Sequence, residues 1–66
     1  MNIISSSKDY FRGEVLVEYD GPYDEQALSN YVQRMHGIRR PDVLEKRDPV
    51  DYNGLQNSGF VVVRER

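Results

Sequence analysis

Residues 20–37 read DGPYDEQALSNYVQRMHG and combine a helix start signal, an apolar stripe and a helix stop signal. Pro22 suits the first helical position because its missing N–H would have no partner there. Asp24 is an alternative N-cap, which would begin the helix two residues later. Gly37 can adopt the left-handed conformation that ends a helix. We therefore predict one helix over about residues 22–36, with its exact start left open.

The predicted helix has one apolar side. Apolar residues recur at i, i+1, i+4, i+5 and i+8, and at about 100° per residue they occupy one band of the helix surface. These residues are Ala27, Leu28, Tyr31, Val32 and Met35. His36, the single histidine, falls opposite this band and is predicted to be a solvated side chain at the helix C-terminus, where a cation is favoured. A helix with one apolar side needs a sheet to cover that side.

Two strands are predicted before the helix. Apolar and polar residues alternate from Phe11 to Tyr19, so the odd-numbered positions, Phe11 and Gly13 included, are expected to face the core. Ile3–Ile4, followed by Ser5–Ser7, are predicted to form a short strand that runs into a turn at Lys8–Asp9. We expect this strand to pair antiparallel with Val15–Tyr19.

Two further strands are predicted after the helix. Asp42–Lys46 is a plausible short strand, and Phe60–Val63 is an unbroken apolar run typical of the interior of a sheet. Between them lies Arg47–Gly59, a long loop rich in turn-forming residues. Part of this loop is expected to be a wide hairpin loop, with Leu55 held against the core.

Together these elements predict a single small α/β domain over residues 1–66. Its class is α+β with two layers and the order ββαββ: a three- to four-stranded, mainly antiparallel sheet with the helix on one face. The other face would have no second layer. We expect Val61, Val63 and Leu16 to form an apolar strip there, which marks a partner or dimer surface, unless these are ordinary exposed apolar residues.

Composition sets the class of protein. A chain of 66 residues without cysteine lies near the lower size limit for a single core and has no disulfide framework. It has no apolar run of membrane-spanning length, so we expect a cytoplasmic protein that does not enter membranes. The net charge of −2 divides into −4 for residues 1–33 and +2 for residues 34–66.

The sequence contains no pattern typical of catalysis. There is no phosphate-binding glycine-rich loop, no nucleophile elbow and no Cys–His pair. One histidine without cysteine is insufficient for a zinc site. We therefore predict a non-enzymatic protein with no catalytic residues, no metal and no cofactor.

Two clusters remain as candidate binding surfaces. Arginines that follow the helix lie close in sequence to an aromatic residue of the long loop, and arginine and tyrosine are enriched at protein interfaces. Another tyrosine lies in the acidic segment at the helix entrance. Solvated charge is the alternative reading of both clusters. The predicted partner-binding residues are Arg39, Arg40, Arg47, Tyr52 and Tyr23.

In size and plan, this cysteine-free α/β chain resembles the small proteins with which phages inhibit host machinery, such as anti-CRISPR proteins and polymerase inhibitors. That resemblance implies a protein-binding inhibitor that docks on a larger macromolecular complex. Two alternatives stay open. One is a small nucleic-acid-binding protein that uses the basic C-terminal half, and the other is a homodimerising structural protein.

Overall fold

The computed structural model describes residues 1–52 and 55–66, and it describes only the backbone of Tyr52 and Leu55. One helix packs on a four-stranded antiparallel sheet with the strand order β1-β2-β6-β3, and a two-stranded antiparallel hairpin is added to it. The elements are β1 (Asn2–Asp9), β2 (Glu14–Asp20), α1 (Glu25–His36), β3 (Pro41–Arg47), β4 (Val50–Tyr52), β5 (Leu55–Asn57) and β6 (Gly59–Glu65). The predicted fold class is confirmed, as is the interior position of the last strand.

The helix begins later than Pro22, and the Asp24 alternative is the correct one. Asp24 has an extended backbone, and its carboxylate accepts hydrogen bonds from the N–H groups of Gln26 (3.0 Å) and Ala27 (3.2 Å). These two donors have no partner within the helix, so the carboxylate satisfies them. At the other end Gly37 is left-handed (φ 70°), as predicted.

The core lies between α1 and the two central strands. It comprises Val15, Val17, Leu28, Val32, Ile38, Val61 and Val63, all buried. Met35 was expected in the helix stripe, but it is 58% exposed. The left-handed turn at Gly37 folds Ile38 back onto the last helical turn, where its N–H donates to the Val32 carbonyl (3.1 Å). Ile38 therefore fills the core at this end instead of Met35.

The first strand is longer than predicted, because Lys8 and Asp9, which were expected to form the turn, belong to the strand. The turn follows Asp9, whose carboxylate accepts hydrogen bonds from the N–H groups of Phe11 and Arg12, and Gly13 closes it with a φ of 68°. Phe11 and Gly13 therefore belong to this turn, and Phe11 is fully exposed, so their expected place on the core side of β2 is wrong. The predicted pairing of Ile3 with the second strand is confirmed.

Strand register decides which side chains face outward. Val61 lies opposite Val17 and Val63 lies opposite Val15, so both face the helix. Their expected place on the outer face is wrong, since directly paired residues share a face and successive residues of a strand point to opposite faces. Leu16 does face outward, as predicted.

The predicted long loop after β3 contains the β4–β5 hairpin. The expected contact of Leu55 with the core concerns a side chain that lies outside the described residues.

His36 is not a solvated side chain. Its Nε2 lies 2.8 Å from the hydroxyl oxygen of Ser6, and that oxygen lies 2.8 Å from the Tyr31 hydroxyl. All three side chains are half-buried. A side chain of the edge strand β1 therefore contacts the side of the helix that the sequence pattern predicted to be open to solvent.

Candidate functional site

The sheet face away from the helix, called the outer face below, carries an apolar strip. We define this outer strip as Leu16, Phe60 and Val62. Leu16 is 45% exposed, whereas Phe60 and Val62 are half-buried. Leu16 lies directly opposite Val62 on the two central strands. Since the helix packs on the other face, the outer strip remains partly open to solvent.

Leu16 stands between two shallow hollows of the outer face. One has a volume of about 330 Å³ and lies towards Phe60 and Ser58. The other has a volume of about 280 Å³ and lies towards Val62 and Ser7. The outer strip therefore presents a ridge with a depression on each side, a relief that side chains of a partner can fill.

Three carboxylates surround the outer strip. Glu14 and Glu18 precede and follow Leu16 by two residues, and Glu45 lies opposite Val62. Glu18 accepts hydrogen bonds from the hydroxyls of Ser5 (3.1 Å) and Ser58. Among the ion pairs of residues 1–52 and 55–66, none involves these three glutamates. Arg64 lies directly opposite Glu14, whereas the residues opposite Glu18 and Glu45 are the apolar Phe60 and Val62.

A separate depression lies at the end of the sheet where the helix begins. It is an open groove of about 610 Å³ whose walls include Asp20, Tyr23, Lys46 and Asp48. The Lys46 Nζ lies 4.4 Å from the centre of the Tyr23 ring and 3.3 Å from the Asp48 carboxylate. The protein's own cation therefore already occupies the space between the ring and the carboxylate.

Two tyrosines of this groove region have raised pKa values. The Tyr19 hydroxyl donates a hydrogen bond to Asp48 (3.1 Å). Burial, this hydrogen bond and the Asp48 charge raise the pKa of Tyr19 to about 12. Burial also raises the pKa of Tyr23; the charge of Glu25 raises it further, whereas Lys46 lowers it. Both phenols are thus kept neutral and serve as contact or hydrogen-bonding groups.

The five predicted binding residues do not form one surface. Tyr23 lies in the groove, and Arg47 lies at the nearby end of β3, opposite Phe60. Arg39 and Arg40 precede the other end of β3, about 20 Å away at roughly 3.3 Å per strand residue. The backbone of Tyr52 lies in β4, but its side chain is outside the described residues.

The arginine pair is anchored through its backbone. The Glu65 carboxylate accepts hydrogen bonds from the N–H groups of Arg39 (2.8 Å) and Arg40 (2.6 Å). These two hydrogen bonds hold the pKa of Glu65 below its ordinary value. The guanidinium groups of both arginines stay on the exposed surface.

In the folded protein, the balance of charge differs between the two ends of the sheet rather than between the two halves of the chain. We call the end beside the helix C-terminus the basic end, because seven of the nine basic residues lie there with four acidic ones. The basic residues are Lys8, Arg12, Arg34, Arg39, Arg40, Arg64 and Arg66. The opposite end holds Lys46 and Arg47 among six acidic residues.

Sequence reasoning found Leu16 but missed the rest of the outer strip. The apolar run of the last strand was a signal for the rest of the strip. Because this strand is apolar on both faces, Phe60 and Val62 must point away from the helix when Val61 and Val63 point towards it. In the sequence, these glutamates were recognised only as residues on the solvent-exposed side of a strand. Nothing in the sequence indicated the contact of Ser6 with Tyr31 and His36, because Ser6 is 25 and 30 residues away from them in the chain.

No protein-family model matches the sequence, and no curated protein or solved structure matches it either. Within the described residues, no helix has the length and apolar character needed to cross a membrane.

Proposed function

We propose that this chain is a non-enzymatic protein-binding module and that its contact surface is the outer face of the sheet. The observation that carries the proposal is the outer strip, which places Leu16, Phe60 and Val62 together on the two central strands. Removing such surface from water contributes about 25 cal/mol per Å² of apolar area. Covering the strip with a partner therefore makes the complex more stable than the two separate proteins.

The size and plan of the chain suggest the kind of complex to test first. Small phage inhibitors, which the chain resembles, bind macromolecular assemblies of a host. We extend this to the present chain as a proposal: a cytoplasmic inhibitor that docks on a larger protein complex. In this proposal Arg47, which lies opposite Phe60, belongs to the contact surface, whereas Tyr23, which packs against the core on the helix side, and Arg39 and Arg40 lie outside it.

A comparison of single variants in a quantitative pull-down tests the proposal. Leu16→Thr removes the apolar ridge but keeps a residue that favours strands. Met35→Gln is the matched control, since it removes an exposed apolar side chain from the helix layer and keeps helix propensity. Captured proteins are identified by mass spectrometry from an extract of the source cells.

We expect a partner that the wild type and Met35→Gln retain and Leu16→Thr loses. Equal retention by all three proteins would show that the outer strip is not the contact surface. If the double variant Arg39→Gln, Arg40→Gln loses the partner and Leu16→Thr retains it, the contact surface lies at the basic end instead.

A nucleic-acid-binding function is the second candidate, and the clustering of seven basic residues at one end favours it. Phosphate contacts release counterions, so such binding weakens steeply as salt increases. Fluorescence anisotropy with a labelled DNA duplex and a labelled single-stranded RNA at low salt tests this. The candidate predicts binding that Arg39→Gln and Arg40→Gln weaken; no change in anisotropy at low salt would exclude it.

A further inference from the structure

We infer that the outer face binds a basic, amphipathic peptide segment: an apolar anchor flanked on both sides by lysine or arginine. This inference rests on the proposed function and names the chemistry of its partner. It follows from what surrounds the outer strip and from how large the face is.

Charge selects a cationic partner. Strand register places six carboxylates but only two guanidinium groups on the outer face; the acidic members are Asp9, Glu14, Glu18, Asp20, Asp42 and Glu45, and the basic ones are Arg47 and Arg64. Asp42 already has a cation nearby, because Arg66 lies 3.7 Å from its carboxylate. The three glutamates around the strip lack such a contact within the described residues. They give an apolar centre with an acidic border.

Spacing sets the pattern that a partner must have. Glu14 and Glu18 each lie two residues from Leu16, which is about 7 Å along the strand. In a bound peptide, a basic residue lies at about this distance from an apolar anchor when it is three or four positions away in a helix, or two positions away in a strand. Lysine and arginine can cover apolar surface with their stems while their charged groups reach the carboxylates.

A second copy of the chain fits this face poorly. Packing two outer faces together would place a net charge of −4 against another −4, with all twelve carboxylates crowded into one interface. The phosphate backbone of a nucleic acid would meet the same acidic border. Both occupants are therefore disfavoured on the outer face by like charge.

The size of the face also favours a segment. Four strands about 4.8 Å apart, with seven residues rising about 3.3 Å each, span about 19 by 23 Å. An α-helix about 10 Å wide and about 15 residues long covers the face from end to end.

Selection from a random peptide library displayed on phage tests the inference and does not require the partner to be identified first. The immobilised full-length protein is the bait, and the peptides are about 16 residues long, enough to cross the face as a helix. Selected peptides are then synthesised, and their affinities are measured by fluorescence anisotropy. The panel contains the wild type, Leu16→Thr, Glu18→Gln, Glu45→Gln and the control Met35→Gln, each checked for a native circular dichroism spectrum.

We expect peptides with an apolar anchor and basic residues on both sides of it. Leu16→Thr should weaken their binding about tenfold or more, as for an interface anchor. Each Glu→Gln change should weaken it about two- to fivefold at low salt. Met35→Gln should have no effect, and raising the salt from about 50 to about 500 mM should reduce the affinity for the wild type.

Other outcomes separate this inference from the proposed function. Neutral or acidic peptides whose binding depends on Leu16 but not on the glutamates would overturn the basic partner and leave the outer face as a binding surface. Peptides that bind Leu16→Thr as tightly as the wild type would overturn both. A dimer of the free protein in sedimentation velocity, dissociated by Leu16→Thr, would show that the occupant is a second copy.

Discussion

Replacing Ser6 by alanine tests whether the edge strand β1 is held to the helix by side chains. The Ser6 hydroxyl oxygen lies 2.8 Å from both the Tyr31 hydroxyl and His36 Nε2, and the Tyr31 and His36 rings meet edge to face with centroids 6.2 Å apart. Ser6→Ala removes both hydrogen bonds at once and leaves two half-buried polar groups without this partner.

The size of the effect follows from these two contacts. A typical intramolecular hydrogen bond contributes about 0.5–1.5 kcal/mol, and water can replace part of it at a half-buried site. We therefore expect Ser6→Ala to lower the free energy of unfolding by about 1–2 kcal/mol. For a domain of this size, that corresponds to a decrease in Tm of about 5–15 °C.

Thermal and denaturant unfolding measure this change, and Ser7→Ala is the matched control. Ser7 is the next residue of the same strand, but it is exposed and lies opposite Leu16 on the outer face. Amide hydrogen exchange gives a second measurement. Exchange in β1 should become faster, whereas exchange in β6 should change only as far as global stability does.

A double-mutant cycle separates the two contacts. Tyr31→Phe and His36→Gln, each combined with Ser6→Ala, should show a coupling free energy of about 0.5 kcal/mol or more. If Ser6→Ala is as stable as Ser7→Ala within about 0.3 kcal/mol, and β1 exchanges at its original rate, the contact does not stabilise the fold and the reasoning is refuted.

Three further predictions concern the fold. Asp24→Ala removes the N-cap and should destabilise the protein by about 1 kcal/mol in chemical denaturation, whereas Asp24→Ser should retain most of the stability. Gly59→Ala should cost about 1–3 kcal/mol, because an added Cβ would clash with the Arg47 carbonyl and lie 2.8 Å from the Pro49 nitrogen; an unchanged Tm would contradict this close approach. The pKa of Tyr19 is about 12 in the folded chain, above its ordinary value of 10.0. The neutral phenol therefore contributes its full share to the free energy of unfolding below pH 10, and this contribution decreases as the pH rises towards 12. Tyr19→Phe should show a smaller loss of stability over that range, and identical alkaline profiles would refute the shift.

Local patterns predicted most of the architecture. The alternation of Val15, Val17 and Tyr19, the apolar run of the last strand and Gly37 after the helix each depend on neighbours within a few residues. These features were therefore readable from the chain. The start of the helix was ambiguous because Pro22 and Asp24 are both favourable at a helix start, and only the geometry of the Asp24 carboxylate decides between them.

The candidate site was less accessible to sequence reasoning. Arg39 and Tyr23 were grouped as binding residues on composition, but the structure places them towards opposite ends of the sheet. Charges that seemed divided between the two halves of the chain are instead divided between the two ends of the sheet. A strand reverses direction at each turn, so neighbours in sequence separate while distant residues meet.

The sequence by itself determined the class of fold, the number of layers and the side of the helix that is buried, because periodicity and capping are properties of short segments. Tertiary structure alone decided the strand order and the register. Register in turn decided that Val61 and Val63 lie under the helix while Val62 faces outward with Leu16. A shift of one residue would exchange the two faces. The outer face and its acidic border therefore exist only once β2, β6 and β3 are paired.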